Sequence, residues 1–577
     1  MFEWKMAYAA HSECTDIKCI NDIENTKLKT IDATVPGNFE LDLMNAGIIK
    51  PLYYSVNTLE AQKYENTDIW YYTTFMADDD NIYLHFEGID TYSDIYVNGE
   101  KVKSTDNMFI GYDVFADFKI GINEIVVHIK PACIESRKYN VSAGCLASKY
   151  NYPSLYSRKA AHMFGWDIMP RIVSAGIWKD VEIRKKKQDK INEIFIYTNS
   201  INYDKNIADM QCYINFDACG DYICDYSAKI IGRCGESVFC TEEKMWHNSY
   251  KFDFSISDCI LWWPKNSGEQ NLYDVEVQLL YNGNVCDSRR LNVGIRTAEL
   301  DRTDIIDNDG NGEFCFKING KKIFVLGTNW VPLDAFHSRD KDRLDKALEL
   351  LDDVGCNMVR CWGGNVYESD EFFDFCDKHG IMVWQDFAMA CVVPPQDEIF
   401  VNKITEEAVY QIKRLRNHAA LVLWAGDNEN DMVYCERTGA FACDPNKNEI
   451  TRSVIKKALL CHDLTRPYLP SSPYISERAY KNNFATAEAH LWGPRDYFKG
   501  DFYTNSKCCF ASETGYHGFP SPKSLKKFLE NPERIFNDNF VPTDEYLVHA
   551  AGMELDVNSP YAYRIKLAYD QVVKLFG

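Results

Sequence analysis

The sequence has 577 residues, which is too long for a single hydrophobic core. Its length therefore predicts three or four domains. Its 46% hydrophobic and 14% aromatic residues can fill large cores, which excludes a disordered chain. The formal net charge is −22, with Asp and Glu spread along the chain. Such a surface repels phosphate backbones and anionic lipids, which argues against nucleic-acid or membrane partners.

The first residues and the cysteines indicate the cellular compartment of the protein. The opening "MFEWKMAYAAHSECTDIKC" lacks the basic and apolar segments of a secretory signal, and no run approaches the roughly 18 apolar residues of a membrane span. The 21 cysteines are unevenly spaced without a CxxC pair, so we expect reduced, mostly buried thiols instead of a disulfide framework or zinc site. These features predict a cytoplasmic enzyme.

Residues 1–185 and 186–298 both carry the pattern of β-sandwiches. In the first range, "NIYLHFEGIDTYSDIYVNGEKV" and "GINEIVVHIK" contain short apolar or alternating runs separated by Asn-Gly and Gly. The second range repeats this pattern in "KINEIFIYTN", "KFDFSIS" and "LYDVEVQLLYNGNVCDSRRLNVG". We therefore predict an N-terminal jelly-roll-like β-sandwich followed by a smaller immunoglobulin-like β-sandwich.

Residues 299–577 alternate compact apolar runs with segments of helical period. "KIFVLGTNW" is followed by "DKDRLDKALELLDDVG", in which Leu344, Ala347, Leu348 and Leu351 fall on one helix face. The further strand candidates are "NMVRCWGG", "IMVWQDF", "LVLWAGDNE", "YLPSSP", "AEAHLW" and "CCFASE". Repeated strand–helix units with apolar strands predict a parallel sheet, and this many in succession favour a (β/α)8-type TIM barrel.

The strand candidates of this barrel number seven, and an eighth is not evident. After "CCFASE" the chain offers "SPKSLKKFLE", a loop region and the amphipathic "SPYAYRIKLAYDQVVKLFG". We therefore expect a barrel that is truncated at its last strand or that closes in an unusual way.

Polar side chains crowd the end of the fourth predicted strand, where "LVLWA" runs into Gly426, Asp427, Asn428 and Glu429. A solvated loop would explain any one of them, and among 85 Asp and Glu a single glutamate is more often a surface residue. Glu513, however, ends the seventh strand, which faces the fourth across the carboxyl-terminal mouth where barrel enzymes carry their chemistry. Two carboxylates about 5 Å apart serve retaining glycoside hydrolysis as nucleophile and acid/base.

Neighbouring residues indicate how these two carboxylates divide the reaction. Arg360, at the end of the second strand, would hold Glu513 ionised as the nucleophile, although an arginine alone is more often a structural ion-pair partner. Glu429, beside that negative charge, would have a raised pKa and keep its proton as general acid. Asn428 would hydrogen-bond the sugar hydroxyl beside the reacting carbon, and Asp427 fits a structural hydrogen bond better than a catalytic role.

Several stretches of the chain are distinctive enough to compare with known protein families. The sandwiches carry "VPGNFELDLMNAG", "FEGIDTYSDIYVNG", "RKAAHMFGWDIMPRIVSAGIWKDV" and "LWWPKNSGEQNLYDVEVQLL" with "GIRTAEL". The most specific stretches are "LGTNWVPLDAFHSR", "VRCWGGNVYESDEFFDFCDKHGIMVWQDFAMAC", "LWAGDNEN" and "ASETGYHGFPS". Together they resemble glycoside hydrolase family 2, and within it the β-mannosidase branch, over nearly the whole chain. The resemblance implies a sugar-binding-type sandwich, an immunoglobulin-like domain and a catalytic barrel whose reaction requires no metal or cofactor.

Residue by residue, the resemblance implies roles at both carboxylates and in the pocket beside them. Glu429 would be the acid/base, because the branch places it directly after an Asn, and Glu513 would be the nucleophile. Trp362 and Trp492 would wall the pocket for the terminal sugar, and His490 would be a polar contact. Either tryptophan taken singly is more often a core residue.

The resemblance also implies that a loop of the first domain, "FGWD", reaches the barrel mouth. Its Trp166 and Asp167 would contact the same terminal sugar, and a pocket blocked in this way makes an enzyme exo-acting. Aromatic faces suit the C–H surfaces of sugars.

The chain departs from the branch at three places around the pocket. It has "WDIMP", "GDNE" and "SETG" where the β-mannosidases usually have WDWGP, GNNE and SEFG. Even with these departures, the resemblance implies an exo-acting retaining β-mannosidase that removes terminal β-mannose from small oligosaccharides. The alternatives are an exo-β-glucosaminidase, a β-galactosidase or a β-glucuronidase, or a non-catalytic sugar-binding remnant.

Overall fold

The computed structural model describes residues 2–13, 16–147, 152–436, 443–483, 485–493, 499–515, 518–534, 543–550 and 560–576. Along these residues the chain forms two antiparallel β-sandwiches followed by a parallel α/β barrel, which confirms the predicted fold class. The domain ranges 1–185, 186–298 and 299–577 stay predictions.

Two antiparallel sheets build the first sandwich. Its strands are β1 (Lys5–Ala10), β2 (Lys29–Asp32), β3 (Thr67–Ala77), β4 (Ile82–Phe86), β5 (Tyr92–Val97), β6 (Glu100–Asp106), β7 (Tyr112–Val114), β8 (Gly121–Lys130) and β9 (Val181–Lys185), and its helices are α1 (Ile20–Glu24), α2 (Phe39–Asn45), α3 (Thr58–Ala61) and α4 (Ala132–Glu135). The sheet orders are β2-β1-β3-β8-β5-β6 and β7-β4-β9. Met6, Leu84 and Val127 are fully buried in the core between them, where each such side chain contributes about 1.5–3 kcal/mol.

The second sandwich has the three-plus-four arrangement of an immunoglobulin-like domain. Its strands are β10 (Lys190–Asn202), β11 (Ile207–Asp217), β12 (Tyr226–Cys234), β13 (Ser237–Lys244), β14 (Ser249–Ser257), β15 (Tyr273–Tyr281) and β16 (Asn284–Val293). They pair in the orders β10-β11-β14 and β13-β12-β15-β16. Burial alternates along β11 and β12, so one face of each sheet fills the core and the other faces solvent.

Asn-Gly pairs close two hairpins where the sequence indicated turns. Asn98 and Gly99 have φ of 51° and 85°, and Asn282 and Gly283 have φ of 50° and 80°. Positive φ at both central residues is the type I′ geometry, which Asn and Gly adopt at the lowest steric cost. These turns join β5 to β6 and β15 to β16.

Seven parallel strands form the barrel within the described residues, the number that the sequence predicted. They are β20 (Gly327–Trp330), β21 (Met358–Cys361), β22 (Met382–Asp386), β23 (Leu421–Ala425), β24 (Tyr468–Leu469), β25 (Glu488–Leu491) and β26 (Phe510–Thr514). Strands β20 to β24 pair in chain order, and β25 pairs with β26. Strands β21, β22 and β23 are buried along their whole length, as parallel strands covered on both faces are.

Helices follow the barrel strands as the periodicity predicted. They are α5 (Lys341–Asp353), α6 (Asp370–His379), α7 (Glu398–Leu415), α8 (Asn430–Glu436), α9 (Ile455–His462), α10 (Glu477–Asn482), α11 (Asp501–Thr504), α12 (Pro522–Phe528), α13 (Asp544–Ala550) and α14 (Pro560–Phe576). On α5, Leu344, Leu348 and Leu351 are buried and Ala347 is half-buried, which confirms the predicted face.

The structure corrects the first barrel strand, which the sequence predicted as one run. "KIFVLGTNW" contains two strands, β20 and the earlier β19 (Lys321–Ile323), which belongs to an antiparallel sheet with β17 (Ala298–Arg302) and β18 (Phe314–Ile318). Asn357 separates the two strands, because its side chain accepts from Leu326 N at 2.9 Å and donates to Phe324 O at 2.9 Å. These bonds take up backbone groups that a continuous ladder would need.

The predicted strand "YLPSSP" is also shorter than expected. Only Tyr468 and Leu469 pair with β23, because Pro470 has no N–H to donate to a ladder. Beyond the proline, Ser472 pairs with the segment after β23, since its N–H donates to Asp427 O at 3.1 Å and its carbonyl accepts from Glu429 N at 2.8 Å. The side chains of Ser471 and Ser472 also form hydrogen bonds near the barrel mouth.

The cysteines among the described residues are free thiols, as predicted, but most of them are half-buried or exposed, so the prediction of mostly buried thiols was wrong. Over the same residues, every helix is too short or too polar to cross a lipid bilayer.

Candidate active site

Backbone geometry places Glu429 at the mouth of the barrel. Strand β23 ends at Ala425, and at Gly426 an added Cβ would lie 2.1 Å from the carbonyl oxygen of Pro470, so only glycine fits there. Glu429 itself has φ of +61°, which is uncommon for a residue other than glycine. Its N–H donates to Ser472 O at 2.8 Å, and this bond holds the strained turn in place.

Side-chain contacts fix the carboxylate of Glu513, which lies on β26. Arg360 Nη1 donates to its Oε2 at 2.8 Å, and Trp492 Nε1 donates to its Oε1 at 2.8 Å. In the parallel ladder Glu513 is paired with His490 of β25, so the two side chains start from adjacent positions. Both oxygens of the carboxylate therefore have a directed donor.

The two glutamates converge over the barrel mouth. One carboxylate oxygen of Glu429, one of Glu513 and a ring nitrogen of His490 all lie within 4.8 Å of one another. This spacing corresponds to the about 5 Å of retaining glycosidases, because inverting enzymes need about 6.5–9.5 Å to admit a water.

His490 lies between the two carboxylates, and this corrects the expectation for Glu429. Its Nδ1 is 2.7 Å from Glu429 Oε1 and 3.6 Å from Glu513 Oε2. We expected the charge of Glu513 to raise the pKa of Glu429. Burial does act in that direction, but the hydrogen bond and charge of His490, with smaller effects of Cys391 and Arg360, outweigh it and lower the pKa.

Arg360 joins four polar groups at the base of the site. Besides Glu513, its guanidinium donates to Asp386 Oδ2 at 2.7 Å, to Asn329 Oδ1 at 2.9 Å and to Asn428 Oδ1 at 2.8 Å. Burial raises the pKa of Asp386 to about 6, although Arg360 opposes that shift. The charges of Asp386 and Glu513 outweigh burial and raise the pKa of Arg360, so it stays a cation.

The two polar residues before Glu429 have different surroundings. Asn428 Oδ1 accepts from Arg360, which turns its Nδ2 toward Cys391 Sγ at 3.6 Å. Asp427 is fully buried, and its Oδ1 accepts from the Ser471 hydroxyl at 2.5 Å and from Asn430 N at 3.2 Å. Burial, followed by the charge of Asp431, raises the pKa of Asp427 well above its usual range. Asp427 thus has the structural role expected from the sequence.

The "FGWD" segment of the first domain packs against the barrel. His162 N donates to Gly364 O of the barrel at 3.1 Å, and Trp166 and Met169 exchange backbone hydrogen bonds of 3.1 and 3.3 Å in a tight turn. This turn sets the Trp166 ring edge-on to Trp362, with centroids 5.1 Å apart. Asp167 lies near enough to the site for its charge to raise the pKa of Cys391.

Trp362 and Trp492 differ in exposure. Trp362 is 6% exposed and its ring covers Gly364, whereas Trp492 is 39% exposed beside Glu513. The structure therefore brings all nine predicted site residues to one mouth, and their roles toward a sugar stay predictions.

Three family models match the chain in the order of its domains. The galactose-binding domain-like model of glycosyl hydrolase 2 matches residues 4–179, the glycosyl hydrolases family 2 model matches residues 191–296, and the TIM barrel domain model of that family matches residues 312–468. The chain belongs to glycoside hydrolase family 2.

Curated relatives in the family include the β-mannosidases of Capra hircus and Bos taurus. They are 29% and 30% identical to this chain over 568 residues, and each match covers 90% of this chain and 63% of the relative. The β-mannosidase B of Thermothelomyces thermophilus is 28% identical over 533 residues, which are 86% of this chain and 61% of that protein. The family 2 chain described here thus spans less than two thirds of the length of these relatives.

Two solved structures have the same fold. A β-D-mannosidase from Dictyoglomus thermophilum superposes with a TM-score of 0.83 at 29% identity, over 100% of this chain and 71% of that chain. The exo-chitosanase of Amycolatopsis orientalis superposes with a TM-score of 0.67 at 16% identity, over 99% of this chain and 67% of that chain. At that identity the second comparison supports the fold alone.

Three residues of this family 2 site were not predicted from the sequence. Cys391 Sγ donates to Glu429 Oε2 at 3.1 Å, and Asp386 and Asn329 hold Arg360. Asp386 and Asn329 lie on β22 and β20, so the search for polar residues at strand ends that found Glu429 would have found them too. Cys391 follows β22 in a loop, where no sequence signal marks a thiol as a hydrogen-bond donor.

One group outside the site has side chains of the type that bind metal ions, namely Asp374, Asp377 and His418. Asp377 Oδ1 accepts from Ala420 N at 2.7 Å, and its Oδ2 is 2.8 Å from His418 Nδ1. These bonds tie α6 to the start of β23, which is a structural role. The expectation that the reaction needs no metal or cofactor stays a prediction.

Proposed function

We propose that the protein is a retaining β-glycosidase that acts by double displacement. The observation that carries this proposal is the approach of Glu429 and Glu513 to within 4.8 Å at the carboxyl ends of β23 and β26. Membership of family 2 supports it, since the three matched domains are those of glycosyl hydrolases.

The proposed reaction assigns one task to each glutamate. Glu513, held by Arg360 and Trp492, attacks the anomeric carbon while Glu429 gives a proton to the departing glycosidic oxygen. In the second half Glu429 takes a proton from water as that water attacks the anomeric carbon, and Glu513 leaves as a carboxylate. Asn428, oriented by Arg360, would present its Nδ2 to the hydroxyl beside the reacting carbon.

We propose a terminal β-mannose as the preferred sugar and an exo mode of action on oligosaccharides or small β-glycosides. The support for mannose is the name of the relatives from Capra hircus, Bos taurus and Dictyoglomus thermophilum, all β-mannosidases. The support for the exo mode is the "FGWD" turn, since Trp166 and Trp362 pack edge-to-face beside the site. Cytoplasmic location also stays a proposal, supported by the free thiols of the described residues.

A panel of aryl β-glycosides tests the proposal directly. Purified protein should release the phenol from the β-mannoside faster than from the glucosaminide, galactoside or glucuronide, and the first-formed sugar should be the β-anomer. A different preferred sugar would redirect the assignment within the family. Calorimetric binding of mannose without release from any glycoside would contradict catalysis and favour a sugar-binding protein.

A further inference from the structure

A row of hydrogen bonds leads from Glu429 away from the pocket and into the barrel wall. His490 Nδ1 lies 2.7 Å from Glu429 Oε1, and His490 Nε2 lies 3.1 Å from Ser472 Oγ. The Ser472 hydroxyl donates to Glu488 Oε1 at 2.8 Å, and the Ser512 hydroxyl donates to the same oxygen. The side chains of His490 and Glu488 are 0% and 3% exposed. We refer to Glu488, Ser472 and His490 as the relay.

The direction of these bonds determines which ring nitrogen of His490 carries a fixed proton. A carboxylate only accepts hydrogen bonds, so Ser472 must give its single hydroxyl proton to Glu488. The Ser472 oxygen is then left to accept from His490, which requires a proton on Nε2. Nδ1 becomes the nitrogen that exchanges a proton with Glu429.

We propose that Glu488 is a positioning residue of the glycosidase reaction, which fixes the tautomer of His490 so that one proton is shared between His490 Nδ1 and Glu429. This inference rests on the function proposed above. The pair has two forms of equal charge, an imidazolium beside a carboxylate and a neutral imidazole beside a carboxylic acid. As the glycosidic C–O bond breaks, the departing oxygen takes the proton of the second form, which leaves a Glu429 carboxylate and a neutral His490.

The charges around the pair favour retention of that proton. Glu513 Oε2 is 3.6 Å from Nδ1 and Glu488 Oε1 is 3.9 Å from Nε2, so carboxylates lie on both sides of the imidazole. Arg360 and the thiol of Cys391 act on Glu429 in the opposite sense, because they stabilise its carboxylate. Removing the charge of Glu488 should therefore let the pair lose its proton at lower pH.

A structural role for Glu488 makes a different prediction. The Ser472, Glu488 and Ser512 bonds also tie the segment after β24 to the β25–β26 pair, and the parallel ladder is interrupted between β24 and β25. If joining strands were the only role, its loss would slow all substrates alike. Loss of the relay should instead slow only those substrates whose leaving group needs a proton.

The test is Glu488→Gln in the full chain, with two aryl β-mannosides. A glutamine amide can donate to Ser472, which frees the hydroxyl to turn toward Nε2 and moves the fixed proton of His490 to Nδ1. We expect kcat/KM for phenyl β-mannoside to fall about 10- to 100-fold, with less than about threefold loss for the 2,4-dinitrophenyl glycoside, whose leaving group departs without a proton. The alkaline limb of kcat/KM should move to lower pH.

Two further variants keep the result interpretable. Glu477→Gln, at an exposed position of α10 paired with Lys481, is the matched control and should behave as the wild type. Ser472→Ala removes the relay but leaves Glu488 its bond from Ser512, so it should reproduce the leaving-group selectivity if Glu488→Gln folds poorly. Equal loss on both substrates, or an alkaline limb that stays in place, would overturn the proposal.

A nuclear magnetic resonance readout separates this inference from the proposed function. In protein labelled with 15N-histidine and assigned with His490→Asn, the wild-type ring should carry its fixed proton on Nε2 and the Glu488→Gln ring on Nδ1. The same tautomer in both proteins would refute the relay even in an active enzyme. Failure of the wild type to hydrolyse any glycoside would refute the proposed function but leave this tautomer test intact.

Discussion

The two sides of the barrel mouth are built differently, and each supplies one of the two glutamates. On the side of β21 to β23 every strand residue is buried, and Trp384 and Trp424 fill the interior. On the side of β25 and β26 most strand residues are half-buried or exposed. Glu429 follows the first side and Glu513 lies on the second.

This difference is repeated in how each carboxylate is held. Backbone constraints position Glu429, namely the close contact at Gly426, the positive φ and the bond to Ser472 O. Side chains position Glu513, and one of them, Arg360, comes from the buried side. The nucleophile therefore depends on side chains from across the mouth, whereas the backbone of the acid/base is held by its own strand end and by the neighbouring segment after β24.

The largest expected effect is on the rate of reaction, and it differs between the two glutamates. Glu513→Ala removes the only proposed nucleophile, so kcat should fall by about 10⁴-fold or more. Glu429→Ala should keep substantial glycosylation of activated aryl glycosides, because they leave without a proton.

Azide distinguishes the two variants independently of rate. In Glu429→Ala, azide enters from the face that water uses and should give the β-glycosyl azide. In Glu513→Ala, azide attacks the free substrate from the face that Glu513 occupied and should give the α-azide. The reverse pattern, read by nuclear magnetic resonance of the product, would exchange the assigned roles.

The next effect concerns Arg360, which connects the two sides. Arg360→Met leaves Asp386 and Glu513 without their cation in a site where Arg360 is 4% exposed, so we expect a loss of about 3–5 kcal/mol in the free energy of unfolding. Urea denaturation measures this loss, and Lys346→Met, which breaks an exposed pair with Glu349, is the control.

Hydrogen exchange shows where that loss of stability falls. Because β25 and β26 bury less of their surface, their amides should gain exchange in Arg360→Met before those of β21 to β23 do. Equal increases on both sides would contradict the view that Arg360 braces the weaker side.

Sequence reasoning succeeded where the signal was local. The alternation of strand and helix segments located all seven barrel strands, although the first predicted run also contained β19, and the position of Glu429 and Glu513 at strand ends was enough to pair them across the mouth. It failed where a distant side chain decides the outcome. The break before Gly327 depends on the side chain of Asn357, and the lowered pKa of Glu429 depends on His490, which is 61 positions away.

The smallest expected effect concerns Glu429, the carboxylate that the backbone positions. Burial, and then the charges of Glu429, Glu513 and Asp167, raise the pKa of Cys391, so the residue remains a thiol and donates to Glu429 Oε2 at 3.1 Å. A thiol is a weak donor, so Cys391→Ala should change kcat/KM by less than about threefold. Loss of the donor should raise the pKa of Glu429 and move the alkaline limb to higher pH, opposite to Glu488→Gln.

Cys391→Ser provides the matched comparison, because a hydroxyl donates more strongly than a thiol in nearly the same position. Its alkaline limb should move to lower pH, since a stronger bond to Oε2 favours the Glu429 carboxylate. The two substitutions thus displace the limb in opposite directions while the backbone of Glu429 stays fixed. Shifts of the same sign in both variants would mean that Cys391 acts through packing. The position of Glu429 would then depend on the side chains around it as well as on its backbone.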